Sequence, residues 1–214
     1  MGKINAVFIH IPKTAGSYII RVLNLLDCSL PRRNKGFPQA GHVTFGHQDY
    51  LKLVNRGKVS KEFDETAFKF ASCRNPYDRV ISHYFYTRKR HPDILPIDVS
   101  FLDFTRSLGK LKTPGRLYGR VAGKYFFRKQ IEPIRNIEID FIIRFEDLKK
   151  DVRNVAKIIG VNKLLRSHRV RISRHKPYWE YYDKESVVNV QEFYKEDFEF
   201  FGYDINDNRL LHLL

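Results

Sequence analysis

Cysteine is almost missing from this chain. Cys28 and Cys73 are the only two in 214 residues. That excludes a disulfide-framed secreted scaffold and leaves two reduced, buried thiols as the expectation. Acidic residues are also scarce: 24 Asp and Glu face 39 Lys and Arg, a net charge of +15. The partner is therefore expected to be anionic, whether nucleotide, sulfated or carboxylated glycan, or nucleic acid, and charge alone does not choose among them. No apolar run approaches the roughly 20 residues of a membrane span. No signal-peptide pattern precedes the first apolar stretch, and Ala6 stands where a myristoylation motif needs Ser or Thr. The chain has no closely spaced set of metal-ligating side chains, no internal repeat and no low-complexity tract. What remains is 43% hydrophobic residues with 17 Phe, enough for the core of a single domain over residues 1–214.

The most informative stretch lies near the start. Residues 6–11, Ala-Val-Phe-Ile-His-Ile, form an apolar run that reads as a buried strand. Pro12 and a turn of small residues follow. Ile19, Val22, Leu23 and Leu26 then fall on one helical face. Lys13, Thr14, Ala15, Gly16 and Ser17 thus sit between a strand end and a helix start. Unpaired backbone N–H groups and the positive end of the helix dipole meet there. Lys13 adds a full charge, and Thr14 and Ser17 add hydroxyls, so a phosphate is the natural guest. The loop is not a Walker A motif, because Lys13 precedes Gly16 and no glycine lies just upstream. Taken alone, a lysine in a strand–helix turn is equally an ordinary solvated side chain.

The arrangement recurs. Residues 66–73 read as a second strand, with Phe68 and Phe70 in alternation, and lead into Arg74-Asn75-Pro76-Tyr77-Asp78. Asn75 suits an N-cap, Pro76 the first helical position and Asp78 the positive helix end. Arg74 is delivered to a helix start as Lys13 is, and Ser82 lies one to two turns inside that helix. Between the two motifs, Gly41-His42-Val43-Thr44-Phe45-Gly46-His47 reads as a short strand with His42 and Thr44 opposite Val43. Residues 137–145 give a third, continuously apolar strand, as a central parallel strand should be. The helix after it points Leu148, Val152, Val155 and Ile159 inward and stops at Gly160. Phe101, Phe104, Leu108 and Leu111 mark an amphipathic helix, and residues 125–134 a further one. A basic run over residues 163–176 is by default a solvated face. Val187, Val190, Tyr194 and Phe198 mark a closing helix expected to pack on the sheet.

The word His10-Ile11-Pro12-Lys13-Thr14-Ala15-Gly16-Ser17 resembles the 5′-phosphosulfate loop of sulfotransferases that use 3′-phosphoadenosine 5′-phosphosulfate (PAPS). The likeness is to carbohydrate O-sulfotransferases related to the heparan and chondroitin 2-O enzymes. Arg74 and Ser82 match the positions that bind the adenosine 3′-phosphate in that family, and Phe145-Glu146-Asp147-Leu148 resembles a structural segment of it. The resemblance runs from Ile9 to Tyr203. It implies an α/β fold of three α/β/α layers around a mainly parallel sheet, like that of P-loop nucleoside triphosphatases. It also implies PAPS as co-substrate, adenosine 3′,5′-bisphosphate as product and no metal. Arg174, His175 and Lys176 become candidates for a basic loop over the nucleotide. Golgi members carry an amino-terminal membrane anchor, which is not seen here. A cytoplasmic enzyme, or a chain from which an anchor has been removed, is therefore expected.

Such an enzyme moves a sulfuryl group to a hydroxyl, with Lys13 stabilising the departing phosphate and a neutral imidazole taking the acceptor proton. His42 and His47 compete for that base. The alternation and the Gly-His context favour His42, with Asp49 next if neither serves. His10 is expected to support the phosphate loop, and His83 to be packed or exposed. The acceptor is expected to be a saccharide, anionic in keeping with the net charge, and not a nucleic acid. Two other classes compete: a phosphate-loop kinase, which needs a Walker lysine and a magnesium-binding acid, and a non-catalytic polyanion or nucleic-acid binder.

Overall fold

The apolar runs become strands of one sheet. The computed structural model describes residues 4–28, 40–110, 127–166 and 175–214. The strands are β1 (Ala6–Ile9), β2 (Leu26–Asp27), β3 (His42–Thr44), β4 (Phe68–Cys73) and β5 (Phe141–Arg144). Their order is β2-β3-β1-β4-β5, and every pairing is parallel. The register sets Ala6 beside His42 and Phe68, and Phe8 beside Thr44 and Phe70. The helices are α1 (Gly16–Val22), α2 (Tyr50–Asn55), α3 (Lys61–Thr66), α4 (Pro76–Arg90), α5 (Phe101–Arg106), α6 (Leu148–Ile158) and α7 (Lys184–Phe201). No described helix is long and apolar enough to cross a membrane.

The chain divides into two compact units, Met1–Cys73 with Pro133–Val170, and Arg74–Glu132 with Arg171–Leu214. The first holds the sheet. Strand alternation sends Ala6, Phe8, Phe70 and Ile143 to one face, where they meet Ile19, Val22 and Leu23 of α1 and its end and Val152, Val155 and Ile159 of α6 and its end. Lys69 points to the opposite face and pairs with Asp64 of α3 at 3.6 Å. Tyr50 of α2 donates its hydroxyl to the same Asp64 at 2.9 Å. Helices therefore flank a parallel sheet on both faces. β1 is central, and the crossovers from β1 to β2 and from β3 to β4 run in opposite directions, so the order reverses beside β1. That is where open α/β sheets bind ligands.

The second unit is helical, with an aromatic core. Tyr77, Ile81 and Tyr84 of α4 and Phe101 and Phe104 of α5 meet Val187, Val190, Tyr194 and Phe198 of α7. The α7 residues expected to pack on the sheet pack instead in this cluster. Arg106 forks onto Glu185 at 2.6 and 2.7 Å, joining α5 to α7 on the surface. Asp183 and Ser186 form a capping box at the start of α7, and Gly202 ends it in the left-handed region at φ 64°.

Several sequence expectations shift at element ends. α1 stops at Val22, not beyond Leu26. Asn24 turns left-handed at φ 52°, and Leu26 becomes an exposed residue of the edge strand β2. The first residue expected in the second strand, Thr66, ends α3, and Ala67 is its C-cap. The third strand is shorter than its apolar run, covering only Phe141–Arg144. No α-helix covers residues 127–134, where Pro133 removes a donor. Leu111 and Arg174 lie outside the described residues.

Candidate active site

The loop after β1 is shaped by what lies beneath it. Thr14 is fully buried. Its hydroxyl donates to the Ile11 carbonyl at 2.8 Å and lies 2.6 Å from the Ser72 hydroxyl of β4. Thr14 thus ties the loop to the neighbouring strand. Its hydroxyl is directed at the Ile11 carbonyl, so the side chain acts here as a tether. On either side of it, Lys13 and Ala15 both stand at φ 70°, a region that side-chain-bearing residues adopt only when the surroundings hold them there. Lys13 is half-buried and Ser17 is exposed on the first turn of α1.

Gly16 is required for a reason the motif does not reveal. A Cβ at this position would lie 1.9 Å from Nε2 of His10. The His10 imidazole occupies the space a side chain would take, so the loop can close only over a glycine. The same ring stacks on Phe8, with centroids 5.6 Å apart, and lies 4.1 Å from the ring of His47. His10 therefore supports the phosphate loop, as expected, and also touches one of the two histidines proposed as base.

His47 follows the carboxyl end of β3 and is partly buried. Its Nδ1 lies 3.4 Å from the His10 carbonyl oxygen. An N–H donated there leaves the lone pair on Nε2, the arrangement a general base needs. Burial pulls its pKa below the ordinary histidine value. The His10 carbonyl and Asp27, at the end of β2, pull upward, and Lys13 adds to the lowering. The His10 pKa is held further down, by burial first and by His47 second. Both rings are thus neutral at pH 7, beside a lysine that is charged.

His42 is elsewhere. It begins β3 and pairs with Ala6, the first residue of β1. That sets it back from Ile9 by the length of β1, about 10 Å at the usual strand rise. Of the two histidines, His47 is the one beside the loop: alternation identified a face of the strand, whereas proximity to the loop depends on which end of the strand a residue occupies. Asp49 caps α2 by accepting from Lys52 N–H at 3.2 Å and is paired with Lys52, a structural duty.

The second motif opens the other unit. Asn75 caps α4, its Oδ1 accepting the Tyr77 N–H at 2.9 Å, with Pro76 in the first turn. Arg74 is 7% exposed, and its Nε donates to Asp78 one turn on at 2.7 Å. That i,i+4 pair aims the guanidinium along the start of the helix. Ser82 lies on the buried side of α4, 3% exposed. His83 is buried beside Phe127, with centroids 5.8 Å apart. Lys176 is an exposed residue paired with Glu180 at 3.2 Å, and His175 stacks on Phe85. Ser72 and Gln130 are the polar residues that sequence reasoning passed over. Neither stands in a recognisable motif, and each acts on a residue more than fifty positions away. Among the described residues, no group of three or more His, Cys, Asp or Glu is placed to hold a metal ion.

An uncharacterised protein of Archaeoglobus fulgidus is 28% identical over 108 residues, which cover 50% of this chain and 78% of that protein. Among solved structures, mouse sulfotransferase SULT7A1 complexed with PAP is similar over 93% of this chain and 66% of its own, at 13% identity and a TM-score of 0.44. Residues 2–204 match the model of the Sulfotransferase family, and with nearly its whole length inside that match the chain belongs to the sulfotransferase family.

Proposed function

We propose that this protein transfers a sulfuryl group from PAPS to the hydroxyl of an anionic saccharide, with Lys13 at the departing phosphate and His47 as base. The observation that supports it most is the meeting of His47, His10 and the Lys13 loop at the carboxyl edge of the parallel sheet. The acceptor oxygen attacks sulfur in line with the bond to the 5′-phosphate, by analogy with phosphoryl transfer. As that S–O bond breaks, its electron pair stays on the phosphate oxygen, where the Lys13 ammonium offsets the growing charge. The acceptor proton passes to Nε2 of His47, whose Nδ1–H is held by the His10 carbonyl. Gly16 and Ala15 bring the loop backbone close to the phosphosulfate, and Ser17 offers an exposed hydroxyl. Arg74 and Ser82 take the 3′-phosphate. A net charge of +15 favours a carboxylated or sulfated acceptor over a neutral one.

Binding of the product nucleotide tests this directly. In calorimetry with a chelator present, adenosine 3′,5′-bisphosphate should bind at least about tenfold more tightly than AMP, since one charge-assisted phosphate contact is worth about 1.5–3 kcal/mol. Equal affinities would remove Arg74 and Ser82 from their role. ATP binding that depends on magnesium would instead favour a kinase.

A further inference from the structure

Gln130 is fully buried, and its side chain closes a two-bond ring on the backbone of Arg74. Oε1 accepts the Arg74 N–H at 2.9 Å, and Nε2 donates to the Arg74 carbonyl at 2.9 Å. Past the end of a strand these main-chain groups would ordinarily need water or another strand. Here one primary amide meets both, which only a side chain carrying donor and acceptor on the same carbon can do. The clamp is itself anchored. The Gln130 N–H donates to Asp197 at 2.7 Å, and the Ile131 N–H to the other oxygen of the same carboxylate at 3.1 Å. Asp197 is fully buried, with the Arg79 guanidinium 4.0 Å away. Arg79 donates in turn to the Arg128 carbonyl at 3.0 Å. Both ends of the segment that carries Gln130 are thus fixed from within the helical unit.

We propose that Gln130 is a positioning residue for recognition of the 3′-phosphate. It fixes the main chain of Arg74 while Asp78 fixes the guanidinium, so that the arginine is presented in one orientation. The inference rests on the proposed role of Arg74. It goes further by assigning discrimination between a 3′-phosphate and a 3′-hydroxyl to a residue that touches neither. A merely structural glutamine would lower stability when removed and leave that discrimination unchanged.

The test measures affinity for adenosine 3′,5′-bisphosphate and for AMP on the full chain, at a temperature where each variant is folded by circular dichroism. Gln130→Leu keeps the bulk and removes both hydrogen bonds. It should lower the preference for the bisphosphate by about tenfold while leaving AMP affinity unchanged, the scale of one misplaced charge-assisted contact. Gln130→Glu supplies a second handle. Ionised, it can accept from the Arg74 N–H but not donate to the carbonyl; protonated, it can do both, and the infrared carboxyl stretch followed against pH shows where burial places that change. Its preference, taken relative to wild type at the same pH, should therefore be low above that carboxyl's own titration and recover below it. If wild type does not prefer the bisphosphate, the role of Arg74 fails and Gln130 falls with it. If wild type prefers it, Arg74→Ala loses the preference and folded Gln130→Leu keeps it, the clamp is structural only. If Gln130→Leu does not fold, a preference in Gln130→Glu that stays at the wild-type value through the observed ionisation of the new carboxyl overturns the proposal.

Discussion

Lys13→Ala is expected to cut kcat by roughly a hundredfold, about 3 kcal/mol of transition-state stabilisation, while nucleotide affinity falls much less. The asymmetry follows from when the charge is needed. The bridging oxygen becomes anionic only as the S–O bond breaks, so an ammonium aimed at it acts more on the transition state than on the bound donor. The loop that presents Lys13 is pinned from below by Thr14 on Ser72, and removing the side chain leaves that tether in place. The left-handed backbone of Lys13 supplies a control. Lys13→Gly relieves the backbone strain and also removes the charge. Single-turnover rates for the two variants should be equally slow if the charge is what matters. A glycine variant that recovers activity would mean that the backbone shape, and not the ammonium, carries the effect.

His47→Ala should lower transfer by about 100- to 10,000-fold with nucleotide binding nearly unchanged, the usual contribution of a positioned general base. His42→Ala, at the amino end of β3, should be close to wild type. The pH profile makes the assignment sharper. A base works in its neutral form, so the rate falls as pH drops through its pKa. Burial lowers that pKa in His47, and the acid limb should therefore lie below pH 6.5, the ordinary histidine value, with wild type already on its plateau at neutrality. The limb should be absent from the residual activity of His47→Ala and intact in His42→Ala. Loss of activity and limb in His42→Ala, with His47→Ala active, would restore the sequence-based order and contradict the strand direction argued above.

Both strand–turn–helix segments were legible because their signals are local. An apolar run, a proline and a helical repeat define the turn at Lys13. Asn75, Pro76 and Asp78 mark the start of α4 by cap chemistry that the structure reproduces, with Asn75 accepting the Tyr77 N–H. The choice between His42 and His47 was not local. Alternation of period two assigns a residue to a face of a strand but says nothing about which end of the sheet it occupies. That depends on the parallel register of β3 against β1, a contact between segments more than thirty residues apart. The glycine at position 16 could be read as a turn residue, but not as the space filled by His10. The tie from Thr14 to Ser72 on β4 is likewise invisible in the sequence. Gln130 was hidden most completely, since its partner lies 56 positions away and no motif links the two. Helix ends were misjudged where tertiary contacts overrode propensity, as at Leu26, which the helical stripe claimed and the edge strand took.

The account turns on whether sulfur leaves the nucleotide for a hydroxyl. Wild type and Lys13→Ala should be incubated with sulfur-labelled PAPS and a panel of saccharides, phenols and small alcohols, with a chelator present, and the products separated from nucleotide. Label should appear in a carboxylated or sulfated saccharide, together with one equivalent of adenosine 3′,5′-bisphosphate, and drop about a hundredfold in the variant. Tight binding of the bisphosphate with label that never leaves PAPS for any acceptor, or leaves equally fast without Lys13, would contradict it.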